Sequence, residues 1–412
     1  MQVDTLQFGF QTGGSTDMCN WTLRETINYY INNGSPVYLC LLDLRKAFDH
    51  VKLNLLFKKL KSRLPGIFVR LILYTYLVQR CYIKWGNSYS REFTISNGLR
   101  QGAVASPSFF NIYINDMFKI LRNSRIGCHI GRLYYGCLGY ADDISLISPS
   151  RQGLQKMINI VSEYCNEHGI EISTDPIIAK SKTKVITFNC IEDVSNLSLY
   201  GKDLPTVNKW EHLGHTILND ESATYDITRS RAMFIGDIHS LHQELGTIDP
   251  YIFLKLVRIY FCAFYGSSLW DLQSKAATSL YATFNYMIRD TFDLPYGTHR
   301  FILKEISGLK PLKVNLEDRF RKFCSNLVKS KRPEVNQLFN IQRHDCRSTF
   351  GRNYRNIVLT NSHSDDPYEL PNGCEWKINM IKELIEIRMK NLRVEFLQQY
   401  EIETLLQELC CD

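Results

Sequence analysis

Two apolar stretches of this chain carry acids where such stretches ordinarily tolerate none, and they limit the possible folds more than any other feature. LGYADDISLI (138–147) sets Asp142 and Asp143 side by side among Leu138, Ala141, Ile144 and Leu146. PVYLCLLDL (36–44) is an apolar run of strand length that carries Asp43 near its end. A carboxylate in such surroundings costs free energy unless something pairs with it. Adjacent acids at a hairpin turn are common by themselves, because aspartate suits turns. Asp43 shifts the balance, since strands disfavour aspartate and a strand end can meet a hairpin tip from far along the chain.

Three carboxylates converging on one edge of a sheet would repel one another unless divalent cations neutralised them. Hard cations such as Mg²⁺ take one or two carboxylates together with phosphate oxygens. Two such ions about 3.5–4 Å apart clamp the attacking and leaving oxygens of an in-line phosphoryl displacement. The acids therefore point to nucleotidyl-transfer chemistry.

The intervening pattern is mixed. Residues 21–34 have helical spacing and stop at Gly34; 51–63 and the stretch from Pro65-Gly66 to about Arg80 read as two more helices. CYIKWGNSYSREFTI (81–95) reads as a hairpin turning at 86–88. Ser106 as cap with Pro107 at the first helical position opens a helix to about Arg122. Two strands joined around Ala141 to Asp143 follow, then a helix over 153–168 stopped by Gly169, and short strands at 182–190 and 212–217. Beyond about residue 222 helical patterns dominate. Alternation followed by helices implies an α+β core and then an all-helical region.

VYLCLLDLRKAFDHV (37–51), SNGLRQGAVASPSFFNIYIND (96–116) and LGYADDISLI occur in the order and rough spacing of reverse transcriptases. The set most resembles those of non-LTR (LINE-type) retrotransposons. QFGFQTGGST (7–16), KSK (180–182), HLGHTI (212–217), FYGSSLW (264–270) and LPYGTHR (294–300) extend the resemblance. It fits maturase or telomerase enzymes less well. It implies a right-hand polymerase palm, an antiparallel sheet with packed helices. The implied divisions are partial fingers over 1–36, palm over 37–221, a helical thumb-like region over 222–342, a polar linker or loop over 343–373 and C-terminal helices over 374–412.

Carried onto this sequence, the resemblance makes Asp43, Asp142 and Asp143 the metal-binding catalytic carboxylates, with the Leu44 carbonyl an extra ligand. They would hold two Mg²⁺, or Mn²⁺ in their place. Phe48 matches the ring that excludes a ribose 2′-hydroxyl, while Gln101, Gly102 and Tyr140 match positions beside the incoming nucleotide. Lys180 matches the lysine that protonates the leaving pyrophosphate, and HLGHTI matches the hairpin that grips the primer end, with Leu213 and Gly214 its contacts. By residue type alone Phe48 also reads as a core aromatic, Gly98 and Gly102 as turn glycines, and Lys180 as a surface lysine. The implied partners are an RNA template, a DNA primer or target and dNTPs.

Family members carry further fingers upstream of the QFGF-like block, which begins here at Gln7. The expectation is a truncated copy with the polymerase fold and weak or no activity by itself. A non-catalytic RNA-binding scaffold is the rival reading, and the retention of three costly acids argues against it. Formal net charge +7 permits a polyanionic partner, and KKLKSR (58–63) and the basic stretch 318–332 are candidate phosphate contacts. The thirteen cysteines form no CxxC pair, which implies reduced thiols, and the two HxxH pairs (His212/His215 and His239/His242) lack a metal-site pattern. The longest apolar run, 71–78, falls far short of the ~20 residues that cross a membrane. No signal peptide is visible, so an intracellular protein, nuclear or cytoplasmic, is expected, with no membrane partner.

Overall fold

The apolar run that carries Asp43 forms the middle strand of an antiparallel sheet. A computed structural model describes residues 3–95, 97–174, 181–190, 197–219, 224–246, 248–360, 374–390 and 406–407. Strand β1 (Val37–Arg45) is buried without a break from Val37 through Leu42. Successive side chains of a strand point to opposite faces, so unbroken burial means that both faces are covered. Strands β2 (Cys137–Tyr140) and β3 (Asp143–Ser148) form a hairpin, and β3 runs antiparallel to β1 from Tyr38↔Ser148 to Asp43↔Asp143. On the other side of β1, β4 (Glu171–Ile172) pairs with Leu44 and Arg45, and β5 (Lys184–Phe188) with Val37 to Leu41.

Helices α1 (Thr16–Asn32), α2 (Leu53–Lys61), α3 (Gly66–Leu77), α4 (Ser106–Ser124) and α5 (Arg151–His168) surround this sheet, with α1, α4 and α5 in contact with its strands. Their ends follow local chemistry. The Ser15 hydroxyl accepts from the Met18 N–H at 3.1 Å, and the Ser150 hydroxyl from the Gly153 N–H at 3.1 Å. Gly169, at φ 70°, stops α5 in the left-handed conformation that glycine adopts at no steric cost. Ser106 differs from expectation: it lies inside α4, and its hydroxyl donates to the Arg100 carbonyl at 2.6 Å instead of capping the helix. The 81–95 hairpin turns around Gly86 as expected, with Lys84–Trp85 against Ser88–Tyr89. The stretch around His212 forms a hairpin, as its resemblance to the primer grip implies, with β6 (Lys209–His212) against β7 (His215–Leu218). Leu213 at φ 48° and Gly214 at φ 77° supply the two positive angles of a type I′ two-residue loop.

The chain forms two compact units. The first is Met1–Glu221 with Asn326–Gln342, the second Ser222–Ser325 with Arg343–Asp412. In the second, α6 (Tyr225–Leu245), α7 (Pro250–Tyr260) and α9 (Arg300–Ser307) each contact the middle helix α8 (Lys275–Thr291), around Phe234, Phe253, Phe284 and Ile302. Helix α10 (Leu312–Val328) leads back to the first unit, where α11 (Pro333–Gln342) packs on α1. Asn326–Gln342 thus clusters with the sheet, whereas the sequence groups it with the helices after 222. Within the stretch expected as linker, α12 (Thr349–Asn353), capped by the Ser348 hydroxyl on the Gly351 N–H at 2.9 Å, is followed by a π-helical turn over Tyr354–Leu359. Residues 361–373 lie outside the described residues, as does most of the expected final helix after α13 (Glu375–Lys390). No helix among the described residues is long and apolar enough to cross a membrane. The described cysteines are all free thiols.

Candidate active site

Strand register brings the three acids together. Asp43 is the partner of Asp143 at the last rung of the β1–β3 ladder, and Asp143 also pairs with Tyr140 across the hairpin. Between them Ala141 and Asp142 form a two-residue loop, with Ala141 at φ 58°. The apolar pairs Leu39↔Ile147, Cys40↔Leu146 and Leu42↔Ile144 fix this register, because a slip of one residue would move every side chain to the opposite face.

The acids feel one another. Burial, followed by the charges of Asp142 and Asp43, pushes the Asp143 carboxyl up to about 6. Asp142 is raised as well, first by burial and further by the charge of Asp43. Lys182 Nζ lies 3.7 Å from Asp43 Oδ1, and its positive charge works against both shifts. Among the described residues no group of three or more His, Cys, Asp or Glu side chains already encircles a metal position. The acids are neighbours at one sheet edge, not a closed cage. The donor set nevertheless fits a hard divalent cation, since it consists of carboxylate oxygens, and burial with neighbouring negative charge holds back the ionisation of two of them, Asp142 and Asp143.

The other residues singled out by sequence divide into those near this edge and those that serve elsewhere. Leu44 is buried and pairs with Ile172, and the adjacent Asp43 carbonyl accepts from the Ser173 N–H at 2.8 Å. Phe48 is half-buried and stacks on Phe110 of α4, ring centroids 4.6 Å apart. Tyr140 is half-buried beside the ring of Phe10. Gln101 is exposed; its amide donates to Asp49 Oδ1 at 3.0 Å, and it lines a cavity of about 640 Å³ with Asp49, Gln79 and Arg100. Gly98 and Gly102 both have positive φ, but for different reasons. A Cβ on Gly98 would lie 2.8 Å from the Asp49 carbonyl oxygen, whereas Gly102 faces open space. Lys180 lies outside the described residues.

Leu213 and Gly214 form the tip of the β6–β7 hairpin, which is tied to the first unit by buried polar groups. His212 Nε2 is 3.2 Å from Ser145 Oγ, the Asn20 amide donates to the His212 carbonyl, and His215 Nε2 is 3.5 Å from Asp17. Ser145 and Asp143, two residues apart on β3, point to the same face. Burial pushes the His212 ring down to about 4, so it is neutral near pH 7.

The candidate phosphate-binding stretch 58–63 is partly internal wiring. Lys59 pairs with Asp116 at 2.6 Å and donates to the Tyr164 hydroxyl at 3.1 Å, which leaves Lys58 and Lys61 exposed. In the 318–332 stretch Arg332 is buried against the Phe8 ring and donates to the carbonyls of Thr5 and Gln7. Two residues of the site escaped the sequence reading. Lys182 shares the KSK block with Lys180, and residue type and spacing alone do not set it apart. Gln7, within a block matched as a whole, touches the acid-bearing turn directly, its amide oxygen 2.9 Å from the Ala141 nitrogen.

Residues 1–217 match the profile of the family described as reverse transcriptase (RNA-dependent DNA polymerase). The chain is 24% identical over 220 residues to the Retrovirus-related Pol polyprotein from type-2 retrotransposable element R2DM of Drosophila melanogaster, covering 51% of this chain and 20% of that protein. It is 24% identical over 371 residues to the probable RNA-directed DNA polymerase from transposon BS of the same species, covering 84% and 39%. The chain thus spans well under half the length of these relatives. A structure of apo telomerase from Candida tropicalis aligns at 13% identity over 95% of this chain and 56% of that one, with a TM-score of 0.39. With three acids joined at the sheet edge and more than half the chain matched, the chain belongs to the reverse transcriptase (RNA-dependent DNA polymerase) family, in its non-LTR retrotransposon branch.

Proposed function

We propose that this chain is an RNA-directed DNA polymerase that adds deoxynucleotides to the 3′-hydroxyl of a DNA primer. The observation that carries the proposal is the rung Asp43↔Asp143 with Asp142 beside it at the turn. Reverse transcriptases use divalent metal ions. Here Asp43, Asp142 and Asp143, with the Leu44 carbonyl, would hold two Mg²⁺, or Mn²⁺, which when bound supply charge neutralisation along the path of phosphoryl transfer. The chain's own groups then set the geometry. Phe48, braced by Phe110, closes the sugar pocket against a ribose 2′-hydroxyl by steric exclusion. Gln101, Gly102 and Tyr140 border the nucleotide, and the Leu213-Gly214 tip holds the primer end so that its 3′-oxygen attacks the α-phosphorus in line. The KSK block provides the proton for the departing pyrophosphate, from Lys180 as the family pattern implies or from Lys182, which faces Asp43.

Primer extension on an RNA template with Mg²⁺, paired with RNA-binding measurements, tests the reading. Asp142→Asn abolishes extension and leaves RNA affinity nearly unchanged. Extension by Asp142→Asn at the wild-type rate would remove the acid from the chemistry. An inert wild-type chain that still binds RNA would favour the scaffold reading.

A further inference from the structure

We infer that Gln7 is a positioning residue for the proposed reaction: its side-chain amide clamps the Ala141–Asp142 turn that carries the catalytic acids. The inference rests on the polymerase reading of that turn. Ala141 sits at φ 58°, a left-handed conformation that an L residue adopts only when its surroundings impose it. The Gln7 side chain, 0% exposed, grips both sides of this one residue. Its amide oxygen accepts from the Ala141 N–H at 2.9 Å, and its amide nitrogen donates to the Ala141 carbonyl at 3.2 Å. The same oxygen accepts from the Gly9 N–H at 2.9 Å, so both acceptor sites of the amide oxygen and one of its two N–H donors are engaged.

The surroundings are shaped for this contact. A Cβ on Gly9 would lie 2.4 Å from the Ala141 nitrogen, so glycine there lets this backbone reach the turn; a Cβ on Gly139 would meet the Phe118 ring first, at 2.5 Å, and then the Gln7 amide nitrogen, at 3.1 Å. The clamp is itself fixed from behind. Backbone bonds join Phe8 and Leu6 to Gly139, the Asn111 amide donates to the Gly9 carbonyl at 2.8 Å, and Arg332 donates to the Gln7 carbonyl at 3.0 Å. A neutral amide is the one group of this shape that serves. Glutamate would set an acceptor against the Ala141 carbonyl and add a negative charge beside Asp142 and Asp143.

The test compares wild type with Gln7→Ala and Gln7→Glu in single-nucleotide incorporation, with hydrogen exchange of the Ala141 amide measured in parallel. We expect kcat to fall about a hundredfold, as for a misplaced reacting group, while the dNTP KM and RNA affinity stay within a factor of two. Exchange of the Ala141 amide should rise about tenfold, the effect of one lost hydrogen bond. Adding Ala141→Gly to Gln7→Ala should recover at least tenfold of the rate, because glycine holds the positive φ unaided. Unchanged kcat and unchanged exchange would overturn the inference, as would a loss that merely follows a fallen melting temperature and is not rescued by Ala141→Gly. If Gln7→Ala fails to fold, the isosteric Gln7→Glu decides by the same criteria. If wild type extends no primer the polymerase reading fails, and the exchange measurement alone decides whether the clamp exists.

Discussion

Asp143 faces Asp43 across the ladder and Asp142 along the chain, so one carboxyl carries most of the crowding. Its folded pKa, about 6, lies above the ordinary 3.8, and the folded state therefore binds this proton more tightly than the unfolded chain does. Stability from this group is present at low pH and is lost as pH rises from about 4 through 6. In Mg²⁺-free buffer at pH 7, Asp143→Asn should accordingly raise the melting temperature by ~2 °C or more. The increment should vanish near pH 4, and a lowered melting temperature at pH 7 would contradict the account. Phe48 makes a second prediction at this scale. Phe48→Val should raise ribonucleotide incorporation relative to deoxynucleotide about tenfold or more, read from the ratio of kcat/KM values. The acids were legible because charge inside apolar runs is a strong signal. Gln7 and Lys182 were not, since an amide and one lysine of a basic block acquire meaning only from what they touch.

Among the elements, the end of α5 was readable because its glycine stop acts within one turn, whereas its start was placed at Gly153, two residues inside the helix that Ser150 caps. The β6–β7 hairpin was legible only through the resemblance of HLGHTI to the primer grip, since its Leu213 turn residue has no intrinsic preference for φ 48°. That hairpin rests on His212, whose folded pKa of about 4 lies below the ordinary 6.5. The unfolded chain binds that proton more tightly, so the hairpin loses stability as pH falls from 6.5 toward 4. Hydrogen-exchange protection of residues 209–218 should fall over that interval in wild type and much less in His212→Asn; equal pH dependence would count against it. Helix α11 gives a stability prediction. Glu334 is buried, pairs with Arg122 at 3.1 Å and accepts from Thr5 at 2.8 Å. Glu334→Ala leaves a half-buried guanidinium short of a partner and should cost about 3 kcal/mol in urea denaturation. A cost under ~1 kcal/mol would show that α11 holds the first unit by packing alone.

For the whole molecule, the order of sequence blocks revealed an antiparallel palm because each block is local, and the register between β1 and β3 follows from their apolar pairs. The return of Asn326–Gln342 to the first unit was not legible. It depends on Arg122, Asp4 and Glu334 meeting across more than two hundred residues, and no periodicity records that. Asp43 likewise meets a hairpin about a hundred residues away only through the ladder, and in the proposed reaction it acts there with Asp142 and Asp143. In single-turnover incorporation of one dNTP on an RNA template, Asp43→Asn should therefore be slower than wild type on the order of a thousandfold, as for removal of a group that stabilises transition-state charge, with template affinity unchanged. Equal rates in the two proteins would rule that role out.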